Sequence, residues 1–143
     1  MKLRPCMSRN QDGVATIEMA FALPILIVLI WMFVQFAQIY RAMAGIQQAL
    51  GEGARFATLC LNPSTTGGCS VPTTDQVKTR ISDSVYGIGP GTFTVSDPTT
   101  GTDGTAKYYD LTVSYTQPTT LLLFPGPTIN VTRSKRVWIA SSS

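Results

Sequence analysis

The sequence predicts an α+β protein. One long N-terminal helix, apolar all round and then amphipathic, packs on a small antiparallel sheet, with one short extra helix. Three observations carry that prediction. Residues 19–40 form a run of 22 residues without a charge. Beyond it, apolar residues recur at spacings of three and four, and the C-terminal half alternates apolar residues with Thr and Ser at period two. Charged residues make up 13% of the 143-residue chain, about half the usual ~25%, and mean hydropathy is +0.16. The chain has no histidine, which excludes a His-based triad, a His-ligated metal and a His general base. A formal charge of +3 is too small for a nucleic-acid binder, which shows a basic stripe.

The charge-free run is the first element. As a helix it spans roughly 33 Å, enough for a bilayer core of ~30 Å. Between Ile25 and Val34 apolar residues cover every side, unlike the one-sided stripe of a soluble surface helix. Lys2, Arg4 and Arg9 precede the run, offset only by Asp12, whereas Arg41 is the sole nearby cation beyond it until Arg55. The positive-inside bias places the N-terminus in the cytoplasm and the bulk of the chain outside. Cys6 then lies on the reducing side. Cys60 and Cys69, separated by a turn-rich stretch, form an even pair expected as one disulfide on the oxidising side, closing a loop at roughly 2–3 kcal/mol.

Three readings compete for the N-terminus. A cleaved secretory signal has a shorter apolar region, although Ala42-Met43-Ala44 has the cleavage pattern. An uncleaved anchor fits length and charge but leaves Glu18, at the edge of the apolar helix, unexplained. The third reading accounts for it. A basic, polar leader ends at Gly13, the apolar helix follows from Val14, and Glu18 is its fifth residue. This resembles the class III signal of type IV pilins, cut after the glycine by a prepilin peptidase. Cleavage creates an α-ammonium on Val14, and Glu18 lies one turn along, in register to neutralise the ammonium of a neighbouring subunit. An unpaired charge in such a bundle costs ~3–5 kcal/mol, so the pair sets stagger more than net stability. The plainer account of Glu18 is its favourable place near the positive end of the helix dipole, worth ~0.3–1 kcal/mol.

The run GVATIEMAFALPILIVLIWMFVQFAQIYRA further resembles the N-terminal segment of TadE-like proteins. These are minor pilins, or pseudopilins, of bacterial tight-adherence (Flp, type IVb) pilus systems. Gly13, Glu18 and Pro24 match the family pattern. Met19 stands where an aromatic residue is usual and Gln35 where a second glutamate is common. The resemblance implies a pilin-like fold, a cleaved leader over residues 1–13, a transmembrane and assembly helix over 14–40, and an external α+β domain over 41–143. It implies as partners a prepilin peptidase, other pilin or pseudopilin subunits, the inner-membrane assembly platform and the lipid bilayer, with no nucleic acid. It places the protein in the bacterial inner membrane, single-pass, with incorporation into an extracellular pilus. Pro24 removes a helix hydrogen bond and crowds the preceding turn, which predicts a kink or local unwinding near Phe21 and Pro24. In an ordinary membrane helix such a proline is a tolerated kink.

Past Tyr40 the pattern becomes one-sided. Ile39, Met43, Ile46, Leu50, Ala54 and Ala57 share a face, which extends the helix to about residue 58. Gly45, Gly51 and Gly53 weaken this half but permit close packing. A second helix is expected over 74–86. Thr73 and Gln76 have capping-box spacing, Val77, Ile81 and Val85 form its apolar face, and Gly87 stops it. Gly87, Gly89 and Gly91 follow a helix and precede a strand, the reverse of a phosphate-binding turn, and read as a connector.

Strands follow. Phe93 and Val95 alternate with polar residues, as do Tyr109, Leu111, Val113 and Tyr115. Between them SDPTTGTDGT reads as a hairpin or loop. Its Asp97 and Asp103 are the nearest thing to a ligand pair, for calcium, but the spacing fits no EF-hand, and aspartate beside Pro or Gly is ordinary turn chemistry. No metal and no cofactor are expected. A last strand or strand pair spans about 128–140, where Arg133 and Lys135 interrupt the apolar parity and predict a bulge or break. The cluster from Arg133 to Arg136 reads as a solvated turn, with headgroups or an acidic partner as the alternative. Leu121, Leu122, Leu123 and Phe124 read as a loop that either plugs the core or is an exposed assembly contact.

No constellation supports catalysis, so no enzyme is expected. The expectation is a minor pilin of a tight-adherence pilus, processed after Gly13. The alternative is a bitopic inner-membrane protein whose external domain binds a ligand or partner without polymerising.

Overall fold

In a computed structural model, residues 12–63, 69–121 and 124–139 are described. Helix α1 runs over Asp12–Ala57, 46 residues, and short strands β1 (Asn62–Pro63) and β2 (Cys69–Ser70) follow. Then come α2 (Thr74–Val85), β3 (Thr92–Val95), β4 (Thr99–Asp103), β5 (Ala106–Leu121) and β6 (Phe124–Ile139). The expected α+β architecture is present. Residues 1–11, and with them Cys6 and nearly all of the leader, lie outside the described residues.

The sheet is antiparallel throughout. β6 lines one edge of β5 over almost its whole length, and β3 and β4 lie end to end along the other. The stretch from Ser96 to Thr105 is therefore the hairpin expected, with β4 as a strand of its own and Gly104 at positive φ in the turn. One face of the sheet carries the core. Tyr109, Leu111, Val113 and Tyr115 of β5, with Val131, Val137 and Ile139 of β6, meet Ala42, Ile46, Ala49, Leu50 and Ala54 of α1. Val77, Ile81 and Val85 of α2 complete it. Each apolar face read from spacing is the buried one, and α1 passes β5 in the opposite direction.

Local chemistry sets the ends of α2. The Thr73 amide donates to Gln76 Oε1 at 3.0 Å while the Gln76 amide donates to Thr73 Oγ1 at 3.4 Å, a complete capping box. Gly87 follows at φ 76°, a conformation that a side chain disfavours. Cys60, just before β1, and Cys69, the first residue of β2, have Cα atoms 5.4 Å apart and are joined as a disulfide.

Two expectations are corrected. β6 is one continuous strand, and the irregularity in its pairing lies instead between Pro118 and Thr120 of β5. Arg133 and Lys135 sit on the core-side parity yet are exposed, because β6 is an edge strand whose long side chains reach water past its rim. Arg133 through Arg136 are thus mid-strand, not a turn, and such inward-parity charges discourage another strand from pairing there. α1 is continuous through Pro24, so of the kink or local unwinding expected near Phe21 and Pro24, the unwinding is absent.

The outer face of the sheet has its own cluster. Arg136 forms two 2.8 Å hydrogen bonds to the Asp110 carboxylate and lies 4.0 Å over the Tyr108 ring, which in turn meets Trp138 edge-on. The Arg136 hydrogen bonds hold the Asp110 carboxyl below its ordinary range, aided by the guanidinium charge and opposed by desolvation. A folded-state value below the unfolded one means that the pair's contribution is present above the unfolded range, near pH ~4, and is lost as pH falls through the folded value. Arg136→Gln is expected to move the Asp110 titration, followed by carboxyl NMR, back up toward the ordinary carboxylate range. A midpoint that stays low in the variant would refute this cause.

Candidate functional site: the N-terminal helix and its hairpin

The residues predicted to carry function share one element. Gly13, Val14, Glu18 and Pro24 all lie in the first half of α1, where no core covers the helix. Val14 is 60% exposed, and Ile17, Met19, Phe21, Ile25 and Phe33 are similarly open. Glu18 is exposed, one turn beyond Val14. A Cβ built on Gly13 meets nothing, so its own packing does not require glycine. An exposed apolar surface this long has no soluble use within the chain, and α1 is long and apolar enough to cross a membrane.

The upper part of this helix is not bare. The Trp31 indole N–H donates to the Thr120 carbonyl at 2.8 Å, and the Gln35 amide donates to the same oxygen. One turn higher, Gln38 Oε1 accepts from Gln117 Nε2 at 3.3 Å. The far end of the β5–β6 hairpin thus lies along residues 31–39. These contacts span 79 to 89 residues of sequence and left no local signal. They do give Gln35 a purpose: a glutamate there would offer the carbonyl only acceptors. Leu121 pairs with Phe124 at the hairpin end, and the joining residues Leu122 and Leu123 lie outside the described residues. Phe124 is 71% exposed, so it does not plug the core.

The proposed calcium pair is not brought together as a site. Asp97 is bound by Lys78 at 2.5 Å, and Asp103 ends β4. Among the described residues no group of three or more His, Cys, Asp or Glu is placed to hold a metal.

An α+β domain hung on a single exposed apolar helix defines a membrane-anchored protein. Residues 13–55 match the family described as TadE-like protein, so the segment that resembled that family carries its signature and links the chain to tight-adherence pilus systems. The match lies wholly within α1, begins at Gly13 and covers under a third of the chain. No curated protein and no solved structure matches the chain.

Proposed function

We propose that this protein is a minor pilin, or pseudopilin, of a tight-adherence (type IVb) pilus, and a substrate of prepilin peptidase rather than an enzyme. It inserts in the inner membrane with its N-terminus in the cytoplasm. It is trimmed after Gly13, leaving 14–40 as the membrane and assembly helix and 41–143 as the external domain. It then joins other subunits and the assembly platform through α1. What supports this most directly is the TadE-like match that starts at Gly13, on an uncovered apolar helix with Glu18 one turn past Val14. In a stack of such helices Glu18 neutralises the α-ammonium of a neighbour's Val14, and Pro24 is the point at which the helix bends to repack. Outside a bundle Glu18 meets water, so its partner is supplied on assembly.

Mass spectrometry of membrane-derived protein is expected to find a mature N-terminus at Val14. An intact leader in cells with active peptidase would sink the proposal in favour of a bitopic protein that is not polymerised. Gly13→Ala should leave insertion intact and block processing. Glu18→Ala should spare insertion and reduce incorporation, since misplaced charge costs ~3–5 kcal/mol in a buried pair; undiminished incorporation would refute the register role.

A further inference from the structure

We infer that the far end of the paired strands β5 and β6, at Thr120 and Phe124, is a second membrane-inserted element, entering the outer leaflet beside α1 at the depth of Trp31. The inference rests on the reading of α1 as a membrane anchor.

Length forces the geometry. Below Trp31 the helix offers residues 14–30, roughly 25 Å of rise, and only roughly 18 Å if the inner boundary lies just past Glu18. The hydrocarbon core is ~30 Å thick, and tilt shortens the span further. The core must therefore extend above Trp31, to the level at which the helix is flanked by Thr120 of the hairpin. If α1 crosses, the hairpin tip cannot remain in water.

The tip is built for that position. From Leu111 to Thr132 the chain carries no charge, a second run of 22 residues, ended by Arg133 as the first is ended by Arg41. Leu121 and Phe124 stand opposite one another at its end, joined in sequence by two further leucines. Backbone polar groups in hydrocarbon need partners, and strand edges ordinarily lack them. Here Pro118, Pro125 and Pro127 have no N–H to satisfy. The Thr120 carbonyl takes the Trp31 and Gln35 donors, and the Pro127 carbonyl takes the Thr119 hydroxyl at 2.7 Å. Between helix and hairpin an open apolar cleft of about 210 Å³, walled by Met32, Phe36, Ile39, Pro127 and Ile129, has the character of an acyl-chain groove. Arg133 lies roughly 30 Å along β6 from Phe124, well clear of the hydrocarbon.

The test places a nitroxide at Phe124→Cys in the full chain carrying Cys6→Ser. The protein is reconstituted in phosphatidylethanolamine–phosphatidylglycerol vesicles. Val28→Cys on the helix and Thr102→Cys at the opposite end of the sheet are the references. The Phe124 label should collide freely with oxygen and several-fold less with a water-soluble nickel chelate than the Thr102 label does, matching Val28. Nickel access equal to that at Thr102, with Val28 still shielded, overturns the inference and leaves the anchor intact. Shielding from both reagents that disappears when protein is diluted in lipid means contact with a second copy, and also overturns it. Nickel access at Val28 itself means that the anchor reading has failed. A second measurement keeps Phe124 native: in a Trp138→Phe chain, Trp31 emission should be quenched by lipids brominated within the acyl region, and absence of quenching overturns the proposed depth.

Discussion

Ile81→Ala is expected to cost the external domain about 2–5 kcal/mol, the range for removing a fully buried isoleucine and leaving a cavity. Ile81 is fully buried in α2 and packs against α1 at Gly53, where a Cβ would come within 2.3 Å of Ile81 Cγ1. The two helices approach closely because α1 has no side chain there. Gly53→Ala alone is therefore expected to destabilise, since overpacking costs about 1–3 kcal/mol against a helix-propensity gain of about 1 kcal/mol. In the Ile81→Ala background the same change should stabilise, because the new methyl enters the vacated space and the propensity gain remains. Urea unfolding of the four variants in detergent, followed by near-UV circular dichroism, reads the cycle. A Gly53→Ala effect of one sign in both backgrounds would show that the two residues do not share a space.

Tyr115→Phe has the next largest effect, about 1–3 kcal/mol for each buried group left unpaired. The Tyr115 hydroxyl donates to Gln117 Oε1 at 2.6 Å and accepts from the Gly91 amide at 3.1 Å, while Gln117 donates onward to Gln38 of α1. The phenol thus joins the glycine connector to β5 directly, and to the helix through Gln117. Phenylalanine preserves the ring and its contact with Phe93 but removes both hydrogen bonds. Faster amide exchange at Gly91, together with a lower unfolding midpoint, is the expected signature. Unchanged Gly91 exchange would show that the hydroxyl is not its partner.

What was legible in the sequence was what short-range physics decides. The capping box at Thr73 and Gln76, the stripes of α1 and α2 and the alternation of β5 all depend on neighbours a few residues apart, and each took its expected place. The spacing of Gly13, Glu18 and Pro24, on which the family resemblance rests, is legible for the same reason. The errors came where a distant partner sets the outcome. Arg133 and Lys135 argue for a break only if both sides of the strand are covered, and nothing local announces that β6 is an edge. The stretch from Leu121 to Phe124 is apolar and proline-flanked and reads as a loop, yet Leu121 and Phe124 are the last paired residues of β5 and β6. Gln117, 4% exposed, is polar at a core position, and only the fold brings Gln38 to it. Trp31 reads as an ordinary member of an apolar run and Gln35 only as a departure from the family pattern, yet both hold the hairpin end.

The unbroken α1 also has a mechanical consequence. Its 46 residues make a rod roughly 69 Å long, whose upper half is a wall of the domain core and whose lower half is the anchor we propose. No linker separates the two, so the domain cannot reorient independently of its anchor. At a membrane-helix tilt of about 20°, the top of the rod is displaced sideways by roughly 23 Å. The bilayer, through the angle at which it holds the helix, thereby aims the sheet.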